Sequence, residues 1–295
     1  MTNLIVPALA AIFALFIQQP VVRTADPVKR GLKDGDIPRL VKVADNVYTY
    51  EDFHAGAEKF TTNSFILVTK TGVLVADGQG SAAATKGMVD AIATITTVPI
   101  RYVVIASDHG DHTGGNAAFP VGVKYFIHPT SQAILKGPAD AVLVTDKTTV
   151  TLGDEQAEIL FLGRAHTGGD LTVWLPAEQI LFMSETFLNR VFPAMRSAYP
   201  SEWLAAVDKA LAMNAKVYIP GHGFTEAGPV SREELIAYRA ALAYVINEST
   251  RLFKAGVPVA DAPAQANWGE YASWTLAASQ GPIAVRKVYE ELSKK

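Results

Sequence analysis

The stretch that most constrains this chain is Arg101 to Asn116, with the sequence RYVVIASDHGDHTGGN. It begins with the apolar, β-branched residues typical of a buried strand and then changes abruptly into a loop. That loop holds two carboxylates and two imidazoles, in Asp108, His109, Asp111 and His112. Imidazole nitrogens and carboxylates suit a borderline divalent ion such as zinc, and the end of a strand fixes their geometry better than a free loop does. This clustering favours a metal site over a polar surface turn.

The motif SDHGDHTGG within this stretch resembles the signature of the metallo-β-lactamase-fold hydrolases. That signature reads His-x-His-x-Asp-His and is followed by a Gly-rich turn. His109, Asp111 and His112 match its second His, its Asp and its last His, whereas Ser107 stands in place of the first His. The resemblance continues to about Gly223 and implies an α/β fold, a four-layer αββα sandwich of two mixed β-sheets flanked by helices.

Three further candidate ligands follow predicted strands in the second half of the chain: His166, Glu185 and His222. Ligands at the same ends of adjacent strands converge on one edge of a sheet. In the family that the motif resembles, these positions hold the third His, a bridging Asp and the final His. Glu185 is one methylene longer than that Asp. His128 also ends a predicted strand, but the resemblance gives it no ligand role, and we interpret it as structural.

The resemblance implies two metal positions that share Glu185. The first has a complete set of ligands: Asp111, His112, Glu185 and His222. The second retains three ligands: His109, His166 and Glu185. A serine hydroxyl is a poorer zinc ligand than imidazole, so Ser107 is at most a weak or replaced ligand of this second position. Asp108 should point to the other face of the strand. The expected cofactor is therefore zinc, one or two ions per chain, with iron or manganese as alternatives.

Such a site supports hydrolysis. A bound zinc lowers the pKa of its water and polarises a carbonyl or phosphoryl oxygen of the substrate. We expect the metal-bound hydroxide to attack an ester, lactone or related bond of a small molecule, with Asp111 as the catalytic residue that orients it by ligation or acts as a general base. No Gly-x-Ser-x-Gly nucleophile elbow offers a covalent route. The alternative is a catalytically impaired or non-enzymatic metal-binding member of the fold, disabled by the serine at position 107.

The segment after Glu185, from Phe187 to Tyr199, should lie near the metal. Arg190 and Arg196 within it could bind a carboxylate, phosphate or sulfate group of a substrate, or they could cap loops. His54, in a loop of the first half, could border the same site. The resemblance disfavours β-lactam hydrolysis as the native activity, because the true β-lactamases of that family generally lack a carboxylate at the position of Glu185.

The N-terminal segment Met1 to Ala25 contains a charge-free run from Leu4 to Ile17. This run is short for a bilayer span but fits the hydrophobic region of a signal peptide. An uncleaved anchor and a hydrophobic helix packed on the domain are the alternatives. We therefore expect residues 1–25 to be a signal peptide and the protein to be exported, either periplasmic or secreted.

The remaining composition limits the partners. The formal net charge of −3 and the lack of a basic cluster argue against nucleic acid as a partner. The expected hydrolytic site predicts a small-molecule substrate instead. The chain has no cysteine, so neither a disulfide nor a thiolate ligand is available. We expect no stable membrane span in the mature chain, and the oligomeric state stays open. Residues 26–295 contain no evident linker, which predicts a single domain with a C-terminal helical extension from about residue 230.

The order of the predicted elements supports two sheets. A strand pair around Asp45-Asn46 and a hairpin over residues 63–77 precede a helix that begins at Ser81. The second half repeats several strands before a helix that begins at Pro200. Ser231 is predicted to begin the next helix through a capping box, and Pro282 the last one.

Overall fold

The computed structural model describes residues 22–54 and 59–294 of the 295-residue chain. Within them, one sheet has seven strands in sequential order: β1 (Arg39–Lys42), β2 (Val47–Phe53), β3 (Thr61–Val68), β4 (Val73–Ala76), β5 (Ile100–Ile105), β6 (Lys124–Ile127) and β7 (Val142–Leu143). Neighbouring strands from β1 to β4 pair antiparallel, and those from β4 to β7 pair parallel. The carboxyl ends of β5 and β6 therefore lie at the same edge.

The second sheet has five strands among the described residues, in the spatial order β12-β11-β10-β9-β8. Their bounds are β8 (Lys147–Leu152), β9 (Glu155–Leu160), β10 (Thr172–Leu175), β11 (Ile180–Phe182) and β12 (Val217–Ile219). Only the β11–β12 pair is parallel. The two sheets face each other across one apolar core, where the ring of Phe65 on β3 stacks on Phe182 of β11 with centroids 5.7 Å apart.

Helices cover the outer faces of both sheets. The described helices are α1 (Ala82–Ile95), α2 (Gly110–Thr113), α3 (Pro129–Leu135), α4 (Pro200–Ala212), α5 (Gly228–Lys254), α6 (Ala262–Gln265) and α7 (Ala277–Leu292). Met88 and Ile92 of α1 pack on the first sheet. Trp203 of α4 and Leu235 of α5 pack on the second sheet, in a core that α7 also joins. The predicted αββα sandwich of two mixed sheets is thus confirmed.

The first residues of three helices can be compared with those predicted from the sequence. Ser81 caps α1 as predicted, because its hydroxyl accepts a hydrogen bond from Ala84 N at 3.1 Å. The prediction that Ser231 begins a helix through a capping box is wrong, because α5 begins one turn earlier at Gly228 and has a proline in its first turn. The hydroxyl of Ser231 instead accepts from Tyr218 N at 3.0 Å and so ties α5 to β12. Pro282 likewise lies inside α7, which begins at Ala277.

The N-terminal signal peptide is predicted over residues 1–25, and the described part of the chain overlaps it only from residue 22 onward. No helix in the described ranges is both long enough and apolar enough to cross a bilayer. The division into a signal peptide and one mature domain stays a prediction.

Candidate metal centre

The ends of three strands bring five of the six predicted ligands together. β5 runs into Ser107 and the short helix α2, a 3₁₀ turn after β11 carries Glu185, and His222 follows β12. Because β11 and β12 are parallel neighbours, their carboxyl ends emerge side by side. Gly221 permits the closest approach: a β-carbon there would lie 2.4 Å from the carbonyl carbon of Ser184. The absence of that β-carbon allows His222 to lie next to Glu185.

One group of four residues offers ligand atoms that all lie within 4.8 Å of one another: Asp111, His112, Glu185 and His222. The Nε2 atom of His222 is 3.1 Å from Asp111 Oδ2 and 3.3 Å from Glu185 Oε1. It is also 3.3 Å from Nε2 of His112. The same four residues were predicted from the sequence to form the complete metal position.

A second group shares Glu185 and adds His109 and His166. Nδ1 of His109 lies 2.9 Å from Glu185 Oε2, and Nε2 of His166 lies 3.0 Å from Glu185 Oε1. The two imidazole nitrogens are 3.1 Å apart. The structure therefore brings all six predicted ligands to one place and divides them into the two predicted groups.

Ser107 faces the second group without completing it. Its hydroxyl donates a hydrogen bond to Oε2 of Glu185 and accepts one from His109 N at 3.2 Å. The neighbouring Asp108 points elsewhere, as expected for the next residue along an extended chain, and accepts from Ser131 Oγ at 2.9 Å. Asp108 therefore does not replace the missing imidazole in this arrangement.

Outer contacts fix which nitrogen of each imidazole faces the centre. Nδ1 of His222 is 2.9 Å from the carbonyl oxygen of Thr61. Nδ1 of His112 is 3.0 Å from Oδ2 of Asp77. Both rings thus turn Nε2 towards the other ligands, which is the arrangement that outer hydrogen-bond partners impose on metal-binding histidines. Asp77 was not predicted as part of the site, because a single Asp before Gly at a strand end is typical of an ordinary turn.

The charges of the centre suit a cation. Glu185 is 3% exposed, and among the described residues its ion-pair partners are all imidazoles. Burial alone would raise the pKa of Glu185, but the surrounding His166 and His109 hold it well below its usual range. Burial would lower the pKa of His109, yet Glu185 raises it to about 9.

The other group behaves in the same way. Burial would lower the pKa of His222, but its hydrogen bonds with Asp111 and Glu185 raise it to about 10. Burial would raise the pKa of Asp111, but His112 and other partners hold it below the ordinary range. These carboxylates thus remain charged and draw positive charge to the imidazoles. A divalent ion would supply that positive charge directly, and the donor set of imidazole nitrogens and carboxylate oxygens fits one.

A cavity of about 300 Å³ opens over the ligands. His54 lines it, and Nδ1 of His54 lies 3.2 Å from Asp111 Oδ2 while its ring stacks on Phe60 with centroids 4.5 Å apart. Arg196 also lines the cavity and is exposed. The structure therefore brings two of the three suggested substrate-binding residues, His54 and Arg196, to the cavity.

Arg190 is not among the residues that line the cavity. Its guanidinium forms two hydrogen bonds with the buried carboxylate of Glu234, one of them from Nη2 to Oε1 at 2.9 Å. It also lies 5.3 Å from the ring centroid of Trp274. This placement corrects the suggestion that Arg190 contacts substrate and favours a structural role. His128 also lies outside both ligand groups, since its Nδ1 accepts from Thr130 N at the start of α3.

Comparison with known proteins identifies the family and the fold. A family model described as the metallo-beta-lactamase superfamily matches residues 58–222, more than half of the chain. Metallo-β-lactamase IND-1 from Chryseobacterium indologenes is 25% identical over 200 residues, which cover 63% of this chain and 82% of that protein. The solved structure of a metallo-β-lactamase from Pontibacter korlensis has a TM-score of 0.62 at 21% identity and covers 68% of this chain and 98% of that one.

The stereoselective inverting sec-alkylsulfatase Pisa1 from Pseudomonas sp. is also similar in fold. Its structure has a TM-score of 0.70 at 17% identity and covers 87% of this chain but 50% of that one. Residues before α5 make up about 77% of the chain, so this likeness extends into the C-terminal helices. The chain belongs to the metallo-β-lactamase superfamily, as its motif indicated. Its superfamily relatives are metal-dependent hydrolases.

Proposed function

We propose that this protein is a zinc-dependent hydrolase that cleaves an ester, lactone or related bond of a small molecule. The observation that carries this proposal is the position of Glu185, whose two carboxylate oxygens contact both ligand groups at the floor of an open cavity. Burying carboxylates and imidazoles together costs free energy, because these polar groups lose contact with water. Binding of a metal ion by the same groups would offset that cost.

The residues have distinct proposed roles. Asp111, His112, Glu185 and His222 would hold one metal ion, and His109, His166 and Glu185 would hold a weaker second one. When bound, the metal lowers the pKa of a coordinated water and polarises the substrate oxygen. Asp111 would orient the attacking water, and His54 would in turn orient Asp111, which it contacts at 3.2 Å. Imidazole-rich ligands suit zinc, although iron and manganese accept the same donors.

The alternative is a member of the fold whose serine at position 107 has disabled catalysis. That serine leaves the second group with three ligand residues. The first group, however, has all four of its ligand residues within 4.8 Å of one another. A four-ligand position beside an open cavity supports the hydrolase over a purely metal-binding protein.

A substrate screen tests the proposed function. Metal-stripped protein, reloaded with zinc, iron or manganese, would be assayed on chromogenic esters, lactones, phosphodiesters and sulfates, and on a chromogenic cephalosporin because relatives include metallo-β-lactamases. We expect turnover of an ester or lactone only after reloading, and little turnover of the cephalosporin. Asp111→Asn should lose this activity, whereas Asp45→Asn, at an exposed turn, should keep it. Equal rates for stripped and reloaded protein would contradict the proposal.

We also propose that the protein is exported. The apolar, charge-free run from Leu4 to Ile17 supports this proposal. Fractionation of a bacterial host that expresses the full chain provides the test, with mass spectrometry of the N-terminus to detect cleavage. Recovery of only full-length protein in the cytosol would rule out export.

A further inference from the structure

One wall of the cavity over the metal centre is built by the loop after Glu185 together with the start of α7. The apolar side chains of this wall are Leu188, Val191, Ala194 and Leu276. Val191 forms a parallel bridge with Thr275, and Phe192 N donates to Thr275 O at 2.8 Å. The C-terminal helical region (Gly228–Leu292), which lies beyond the residues matched by the family model, is thereby joined to the substrate side of the site.

Leu276 holds an unusual position in this wall. Its backbone is left-handed, with φ of +70°, immediately before α7. Most residues with a β-carbon are strained in this conformation, which glycine adopts freely and asparagine tolerates. Strained residues of this kind concentrate at binding sites. Here the strained residue contributes a large apolar side chain to the cavity.

Arg196 is the only Lys or Arg among the described residues that line the cavity. It is exposed and makes no side-chain hydrogen bond or ion pair with the described part of the chain. In the same loop, Arg190 is fully paired with Glu234. The guanidinium of Arg196 is therefore available to a ligand, and guanidinium groups bind carboxylate, sulfate and phosphate through paired hydrogen bonds.

The floor and the wall offer different contacts. At the floor, Asp111 and Glu185 are paired with imidazoles and belong to the proposed metal site, which would hold the reacting group of a substrate. The wall offers apolar side chains and, at Arg196, one positive charge. A molecule that uses both surfaces has a reacting bond at the floor, an apolar body along the wall and an anionic group near Arg196.

We propose that the substrates are amphiphilic anions of this kind, in which an apolar body separates the scissile bond from a carboxylate or a similar anion. Arg196 binds the anion, and Leu188, Val191 and Leu276 contact the apolar body. This inference rests on the proposed hydrolase function, because that function sets the position of the reacting bond.

Calorimetric titration of zinc-loaded full chain with two matched ligand pairs tests the proposal. The pairs are hexanoate with adipate and octanoate with suberate, which differ by one terminal carboxylate. In the wild type, the dicarboxylate of at least one pair should bind about fivefold more tightly than the monocarboxylate of that pair, as expected for a partly exposed ion pair. Arg196→Gln should remove this advantage. Arg286→Gln, a matched loss of an exposed arginine on α7 that does not line the cavity, should retain it.

Leu276→Gly tests the apolar wall separately. Glycine accepts the left-handed conformation without strain, which offsets part of the packing that the Leu276 side chain makes with the neighbouring core, and thermal denaturation checks that the variant folds. It should bind octanoate and suberate more weakly, by about threefold, because apolar contact area is lost.

Three results would overturn the proposal. These are the absence of binding by all four acids, the absence of a dicarboxylate advantage in the wild type, and an equal loss of that advantage in Arg196→Gln and Arg286→Gln. Because binding is measured without turnover, a failed substrate screen contradicts the hydrolase alone. Conversely, hydrolysis without a dicarboxylate advantage contradicts the substrate class alone.

Discussion

Oδ2 of Asp77 lies 3.0 Å from Nδ1 of His112, and both side chains are fully buried. The other carboxylate oxygen of Asp77 accepts hydrogen bonds from Ala106 N at 2.8 Å and Ser107 N at 3.2 Å. Asp77 also accepts a hydrogen bond from Ser184 Oγ at 2.5 Å, in the turn that carries Glu185. One carboxylate at the end of β4 therefore connects His112 to the loop after β5 and to the turn that carries Glu185.

Asp77→Asn should weaken metal binding while keeping the local backbone. Asp77 has a φ of +62°, a conformation that asparagine accepts as readily as aspartate. We expect the zinc affinity to fall about 10- to 100-fold, because the substitution removes the charge that orients His112. Competition with a chromogenic chelator measures this affinity. Asp45→Asn is the matched control, and equal affinity in the two variants would contradict the role given to Asp77.

Glu185→Gln tests the shared ligand. The substitution preserves shape but removes the negative charge that both groups contact, so we expect metal content and hydrolysis to fall together, by about tenfold or more. Elemental analysis after dialysis measures the metal content. Glu202→Gln, in an exposed ion pair with Arg164, should change neither. Unchanged metal content and activity in Glu185→Gln would show that the residue is no ligand.

The sequence was most informative where chemistry and strand periodicity coincide. His109, Asp111 and His112 could be assigned because they follow an apolar strand within a compact motif. His166, Glu185 and His222 could be assigned because each follows a predicted strand. The fold turns such local placements into one site, since strand ends of the two sheets meet at a single edge.

The partners of individual side chains were harder to predict from the sequence. Arg190 and Arg196 lie in one loop and have the same chemistry, yet one is bound by Glu234, 44 residues away, and the other lines the cavity. No local pattern distinguishes them, because the difference depends on where α5 packs. For the same reason, the sequence did not reveal that Leu276 belongs to the cavity wall.

Arg190→Met should therefore act on stability. The substitution removes one ion-pair partner of the buried Glu234 and leaves Arg23, whose Nη1 lies 3.3 Å from Glu234 Oε1. Because a buried carboxylate is then less well paired, we expect a loss of about 2 kcal/mol in the free energy of unfolding. Thermal denaturation should show a melting temperature lower by several degrees. Arg196→Met, at an exposed position, should leave the melting temperature unchanged. The reverse pattern would mean that Arg190 is the residue available to ligands.

The last prediction concerns the contact between Ser107 and Glu185, in which the serine hydroxyl donates to Oε2. Because the serine offers a neutral hydroxyl where the family motif has an imidazole, the group of His109, His166 and Glu185 should bind metal more weakly than the four-ligand group. Protein dialysed against a mild chelator should then retain about one ion per chain. Ser107→His should raise this value towards about two, provided that thermal denaturation shows an intact fold.

Ser107→Ala separates the ligand role of this position from its hydrogen bond. Alanine removes the contact to Glu185 without adding a ligand, so this variant should also retain about one ion per chain. Activity need not rise in Ser107→His, because the added imidazole occupies space beside the cavity floor. If the wild type retains two ions as tightly as Ser107→His does, while Ser107→Ala loses one of them, the serine is itself a full ligand. The prediction that the two positions bind metal with unequal affinity would then be wrong.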